Sequence, residues 1–135
     1  MTSLDTDPAT LVLQEGVAAR ALFEGHDIAD SRDVVVVSQE GHPPSYYFPR
    51  KDVFMVFLSQ TSKVTVHPQK GQARYFTILR DKYIVENVAW SYETPEPAYA
   101  LLAGRIAFNR AHVEFQVDGR SPADLDDETD GVDPG

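Results

Sequence analysis

The chain has 135 residues, 42% of them hydrophobic and 24% charged, with no cysteine and a formal net charge of −9. That length fits one domain with a core of its own, and the missing cysteine excludes disulfides, thiolate metal sites and a cysteine nucleophile. The charge sits at the ends: residues 119–135 hold six acids and one base, residues 1–15 three acids and no base, and residues 16–118 twelve acids against eleven bases, so no basic stripe exists to neutralise a nucleic-acid backbone.

Residues 1–16 show no clean hydrophobic period and are expected to form a flexible N-terminal arm. They contain no basic residue, the wrong charge for a secretory signal, and no apolar run is long enough to span a bilayer. A soluble, cytoplasmic protein without a membrane partner is the expectation. Residues 17–23 suit strand or helix, and the following Glu24-Gly25-His26-Asp27 is a turn signal that favours a strand and a hairpin. Residues 28–31 read as a short return strand. Four consecutive valines, Val34, Val35, Val36 and Val37, are β-branched and too short a run for a helix, so they predict a buried strand. Gly41-His42-Pro43-Pro44 then makes a rigid corner.

Residues 45–49 are extended and aromatic, and Pro49 can open one helical turn. Residues 53–58 and 64–66 read as further strands, and residues 67–71 as a turn. Residues 74–79 and 83–90 flank Arg80-Asp81-Lys82 and predict a β-hairpin. In regular alternation Ile84, Glu86, Val88 and Trp90 share one face of its second strand, and Tyr83, Val85, Asn87 and Ala89 the other; a bulge would alter this. Thr94-Pro95-Glu96-Pro97 starts a short helix over residues 98–103, with Gly104 as its C-terminal cap. Residues 105–108 and 113–117 are the last strands. Residues 119–135 bury too little to offset their ordering entropy and are expected to be an acidic, disordered tail. The domain proper is therefore placed at residues 17–118, mainly β, with about eight short strands.

Few constellations suggest chemistry. His26, His42, His67 and His112 form no metal-binding spacing, and neither a phosphate-binding glycine loop nor a Gly-x-Ser-x-Gly elbow is present. No metal and no cofactor are expected. Polar groups do gather beside aromatics in three segments: His42, Tyr46, Tyr47 and Arg50; His67, Lys70 and Gly71; Glu86, Asn87, Trp90, Ser91 and Tyr92. Lysine beside glycine offers a point charge and an approachable amide to an anion, and Arg50 a bidentate fork. Tyrosine and tryptophan supply flat walls. His67 would act as a general base if Glu86 oriented it. Each residue also has a plain structural reading, with prolines as corners, aromatics as core and Glu86 paired to Lys70 or Arg74.

These same residues carry a resemblance. Ala29-Asp30-Ser31-Arg32, His42-Pro43-Pro44-Ser45-Tyr46-Tyr47-Phe48-Pro49, Pro68-Gln69-Lys70-Gly71 with Ala73 and Tyr75, and Val85-Glu86-Asn87-Val88-Ala89-Trp90-Ser91-Tyr92 resemble, in order and spacing over residues 17–118, the DUF427 family. That family is mostly bacterial, of unknown function, and sometimes carries a nucleotidyltransferase-like label. The resemblance implies a compact β-tent-like domain in which two antiparallel sheets lean together over a pocket, with one or two short helices. By position Tyr46, Tyr47, Lys70, Glu86, Asn87 and Trp90 match its motifs. The cysteine frequent before the Pro-x-Lys-Gly turn is His67 here, with Val66 ahead of it. Gln69 and Phe76 replace a usual aromatic and a usual tryptophan. The resemblance thus implies no thiol chemistry for this chain, and the cysteine pairs with which some β-tent relatives bind zinc are missing.

The resulting expectation is a module binding a small anionic or planar ligand through Tyr46, Tyr47, Arg50, Lys70, Asn87, Trp90 and Tyr92. The alternatives are a hydrolase or nucleotidyltransferase-like enzyme using His67, Glu86 and Lys70, and a protein-interaction domain. The chain is expected as a monomer or homodimer.

Overall fold

A computed structural model of the chain describes residues 11–117. Its strands are β1 (Leu11–Phe23), β2 (His26–Gln39), β3 (His42–Phe48), β4 (Leu58–His67), β5 (Gly71–Arg80), β6 (Tyr83–Ser91), β7 (Ile106–Phe108) and β8 (Glu114–Val117). They pair antiparallel in one hydrogen-bonded sheet, in the order β4-β5-β6-β7-β3-β2-β1-β8. The mainly β class is as expected, but the division into two sheets is not. The short β7 bonds β3 on one side, through Tyr47↔Ala107, and β6 on the other, through Trp90↔Ala107. It joins two groups of strands into a single ladder.

Local chemistry sets the turns. Glu24 and Gly25 close the β1–β2 hairpin with φ of 50° and 80°, the two left-handed positions that a tight turn matching strand twist requires. β2 is one strand where two were expected. Ser31 holds the polar stretch in the ladder: its hydroxyl donates to Asp52 Oδ2 at 2.7 Å and accepts the Asp33 amide at 3.0 Å. Opposite it, the β1 register shifts between Val17 and Ala19, which absorbs the extra length.

Three further expectations are corrected. Residues 53–58 are not a strand, because Met55–Phe57 form a 3-10 turn. The Phe54 amide donates to the Ile28 carbonyl at 2.9 Å, and Met55 and Phe57 pack on the core while Val56 stays outside. The short helix is a 3-10 segment, Pro97–Leu102, kinked at Tyr99 and anchored by buried Leu102. Residues 11–16, assigned to the arm, belong to β1, where Leu11 and Leu13 pack against buried neighbours. Residues 1–10 and the acidic segment 119–135 lie outside the described residues.

The sheet curls on itself. Three strands separate β1 from β6 in the ladder, yet the Phe23 and Tyr83 rings meet edge-on at 5.8 Å. Arg80 also donates to the Asp27 carbonyl at 3.0 Å. The enclosed core takes Val34 and Val36 from β2, with Ile28, Phe48, Ile78, Val88 and Ile106. Val35 and Val37 point the other way and join Tyr47, Ala73, Tyr92, Leu102 and Ala107 in a second cluster. A strand buried on both faces needs an unbroken apolar run, which explains the four valines. The second cluster carries the candidate site.

Candidate functional site

Strand register assembles the site. Tyr47 on β3 pairs with Ala107 on β7, Ala107 with Trp90 on β6, and Trp90 with Tyr75 on β5. Residues paired laterally share a face, so this face carries an aromatic row with one small member. The Trp90 indole N–H donates to the Tyr47 hydroxyl oxygen at 3.1 Å. Tyr75 and Trp90 ring centroids lie 6.3 Å apart, and those of Tyr47 and Tyr92 6.2 Å. Burial pushes the Tyr47 phenol far above its ordinary value. Burial, with a smaller push from the Tyr75 phenol, takes Tyr92 up to about 12. Both phenols are neutral donors at physiological pH.

Lys70 reaches into this row. Its ammonium lies 5.4 Å from the Tyr92 ring centroid and 5.9 Å from that of Tyr47. The residue is only 9% exposed, and among the described residues its Nζ has neither a hydrogen bond nor an ion pair. Burial lowers its affinity for a proton. The backbone fixes it from both sides. His67 Nδ1 accepts the amides of Gln69 at 3.0 Å and Lys70 at 3.2 Å, and the Lys70 carbonyl accepts the Glu96 amide at 3.0 Å. Gly71 follows at φ 111°, a conformation only glycine adopts without strain. The Lys70 amide is taken up by His67.

His67 lies beside Lys70 but not beside Glu86. His67 pairs with Gly71 at one end of β5, whereas Glu86 follows Val85, the partner of Ile78. Seven residues of strand separate those positions, about 23 Å at the usual rise. The expected acid–base pair therefore does not form. Because Nδ1 accepts two amides, the neutral ring carries its proton on Nε2. Burial, then Lys70, lowers the His67 pKa below 6.5. Its unfolded form binds protons more readily, so its contribution to stability is complete above pH 6.5 and is lost as pH falls through the depressed folded value. Thermal melts at pH 7.5 and 5.0 should show a larger acid-induced drop for the wild type than for His67→Gln. Equal drops would remove His67 from the acid response.

The other candidates lie elsewhere. Tyr46 faces the enclosed core and packs on Phe115 with centroids 4.8 Å apart, because it alternates with Tyr47 along β3. Arg50 donates to Glu93 Oε2 at 2.6 Å, Ser91 Oγ at 3.1 Å and the Gly104 carbonyl at 3.0 Å. It lines a separate cleft of about 480 Å³ with Lys51 and Arg105. Glu86 is exposed in a groove of about 360 Å³ beside Leu79 and Asn87. Asn87 has φ 55°; its Oδ1 accepts the Thr61 hydroxyl at 2.7 Å and its amide donates to Thr77 Oγ1 at 3.2 Å. It shapes a bulge: Phe76 to Ile78 on β5 spans two residues, and the opposing Val85 to Ala89 on β6 spans four. The bulge also turns Val88 into the enclosed core, away from the face of Trp90.

Sequence reasoning left Ala73 and Tyr75 out of the candidate site. Tyr75 stands beside Trp90, its hydroxyl 3.0 Å from Thr65 Oγ1, with Lys63 Nζ 4.6 Å from its ring centroid. The alternation of Ala73 and Tyr75 on β5 signals their shared face, but only the register shows what they meet. Among the described residues, no group of three or more His, Asp or Glu gathers as a metal centre would need, and no helix is long and apolar enough to cross a membrane.

The motif residues thus occupy the positions that build this fold: Ser31 in the polar stretch of β2, Tyr47 and Trp90 in the row, Lys70-Gly71 at the turn and Asn87 at the bulge. The family model described as a domain of unknown function, DUF427, matches residues 11–119, most of the chain. The chain belongs to the DUF427 family. No curated protein matches it. For this DUF427 domain the family supplies no activity, so the argument about function rests on the face around Lys70.

Proposed function

We propose that this DUF427 domain is a binding module for a small anionic ligand with a planar group, seated at Lys70. One observation carries the reading. Lys70 is only 9% exposed as a residue, and its ammonium has no counter-ion among the described residues, an arrangement that costs stability unless a ligand completes it. Tyr47 and Tyr92 flank the charge, while half-buried Trp90 and Tyr75 offer flat surface for a planar group. His67 Nε2–H and Lys63 stand at the margin as further donors. The hydrolase or nucleotidyltransferase-like alternative lacks its His67–Glu86 pair. A protein-interaction role has one observation in its favour: β4 is an edge strand with Val66 74% exposed.

The test is a thermal-shift panel of inorganic phosphate, benzoate, glyoxylate, AMP and a sugar phosphate, with Trp90 fluorescence as a second readout, since it is the sole tryptophan. A ligand at about a hundred times its dissociation constant stabilises the fold by about 2.7 kcal/mol. A hit should vanish in Lys70→Met and persist in Lys51→Met. A hit that survives Lys70→Met, or an empty panel with concentration-dependent self-association, would reject the reading.

A further inference from the structure

We propose that Lys70 is a reactive amine that forms an imine with an aldehyde or 2-oxo acid bound on the aromatic face. The inference rests on the ligand-site reading of the same face and adds a covalent step to it. Among the four lysines, Lys51, Lys63, Lys70 and Lys82, three are exposed and Lys70 alone is buried. An amine becomes a nucleophile when its surroundings disfavour the charged form, and desolvation without a carboxylate partner does so. Around Nζ stand the Tyr92 and Tyr47 rings, with His67 beside the turn. The only unpartnered buried side-chain polar atom among the described residues is Arg20 Nε, so Lys70 Nζ, which has no hydrogen bond among them, keeps some contact with solvent.

The atoms balance without an oxidant or reductant. The ammonium first gives a proton to solvent. The Nζ lone pair attacks the carbonyl carbon, and the carbonyl oxygen takes up a proton to give a carbinolamine. Nζ loses its second proton as that hydroxyl, protonated again, departs as water, and the carbon–nitrogen double bond forms. The phenols of Tyr47 and Tyr92, which burial keeps protonated, flank the amine with ring centroids 5.9 Å and 5.4 Å from Nζ.

The experiment uses the full chain with glyoxylate and borohydride at pH 7, which reduces any imine to a stable carboxymethyl-lysine. Peptide mass spectrometry then reads each lysine separately. The expected result is labelling of Lys70 about tenfold faster than Lys51, Lys63 or Lys82, with no adduct at that position in Lys70→Arg, whose folding is checked by its melting curve. Labelling in order of exposure, with Lys70 slowest or unmodified, overturns the imine. If glyoxylate then still stabilises the protein reversibly and Lys70→Met removes the effect, the anion site stands without the covalent step. If Lys70 is labelled quickly but no anion stabilises the fold, the imine stands and the anion reading fails.

Discussion

Lys70→Met should raise the melting temperature by about 4 °C, equivalent to about 1 kcal/mol for a domain of this size, while abolishing every anion-dependent shift. Methionine has nearly the length of lysine and keeps the contacts with Tyr47 and Tyr92, where its thioether sits well against aromatic rings. What it removes is a charge on a residue only 9% exposed, with no hydrogen bond or ion pair among the described residues. Replacing buried charge by an apolar side chain of similar shape is often neutral or stabilising, and a residue that lowers stability is the kind that function retains. The cation–π contacts at 5.4 Å and 5.9 Å work in the opposite direction and keep the gain small. A variant that melts lower than the wild type by several degrees would show that Lys70 is structural, held by interactions worth more than its desolvation. Paired melts of both proteins with and without phosphate or benzoate separate the two roles.

Asn87→Val should destabilise the domain by about 3 kcal/mol, lowering the melting temperature by about 10 °C. A β-branched residue at φ 55° meets steric strain that asparagine tolerates. The variant also leaves the Thr61 hydroxyl without its acceptor at 2.7 Å. Asn87→Gly keeps the backbone conformation and loses only that bond, so it should cost about 1 kcal/mol. The contrast identifies Asn87 as the residue that sets the bulge. If the two variants melt together, the left-handed conformation is not what makes Asn87 matter. The consequence reaches the site. Continued regularly from Arg80↔Tyr83, the hairpin would place Tyr75 opposite Val88, whereas the bulge brings Trp90 there. Asn87→Val should therefore shift Trp90 emission to longer wavelength even below the melting transition, as the indole loses the Tyr47 hydroxyl.

Much of the fold was legible in the sequence, and the reason is local. The four valines, the Glu24-Gly25 turn and the polar tip at Asp81-Lys82 each carry a signal within a few residues. Residues 53–58 misled because an apolar run reads alike in a strand and in a 3-10 turn that covers a core. The site was half legible. Its residue types were visible, but their grouping was not, since Tyr46 and Tyr47 are neighbours in the chain and face opposite sides of the sheet. Arg50 looked free in the sequence and is held by Glu93, Ser91 and Gly104 from more distant segments.

The sequence by itself determined the β-rich class, the hairpins and the absence of cysteine, because composition and short-range periodicity decide these, and the order and spacing of its motifs carried the resemblance to the family. The tertiary structure alone decided that the strands form one ladder, that His67 and Glu86 lie toward opposite ends of β5, and that Lys70, without an ion pair among the described residues, lies against Tyr47 and Tyr92. Those outcomes depend on register and bulges, in which a shift of one residue exchanges the two faces of a strand, and no short stretch of sequence encodes such a choice.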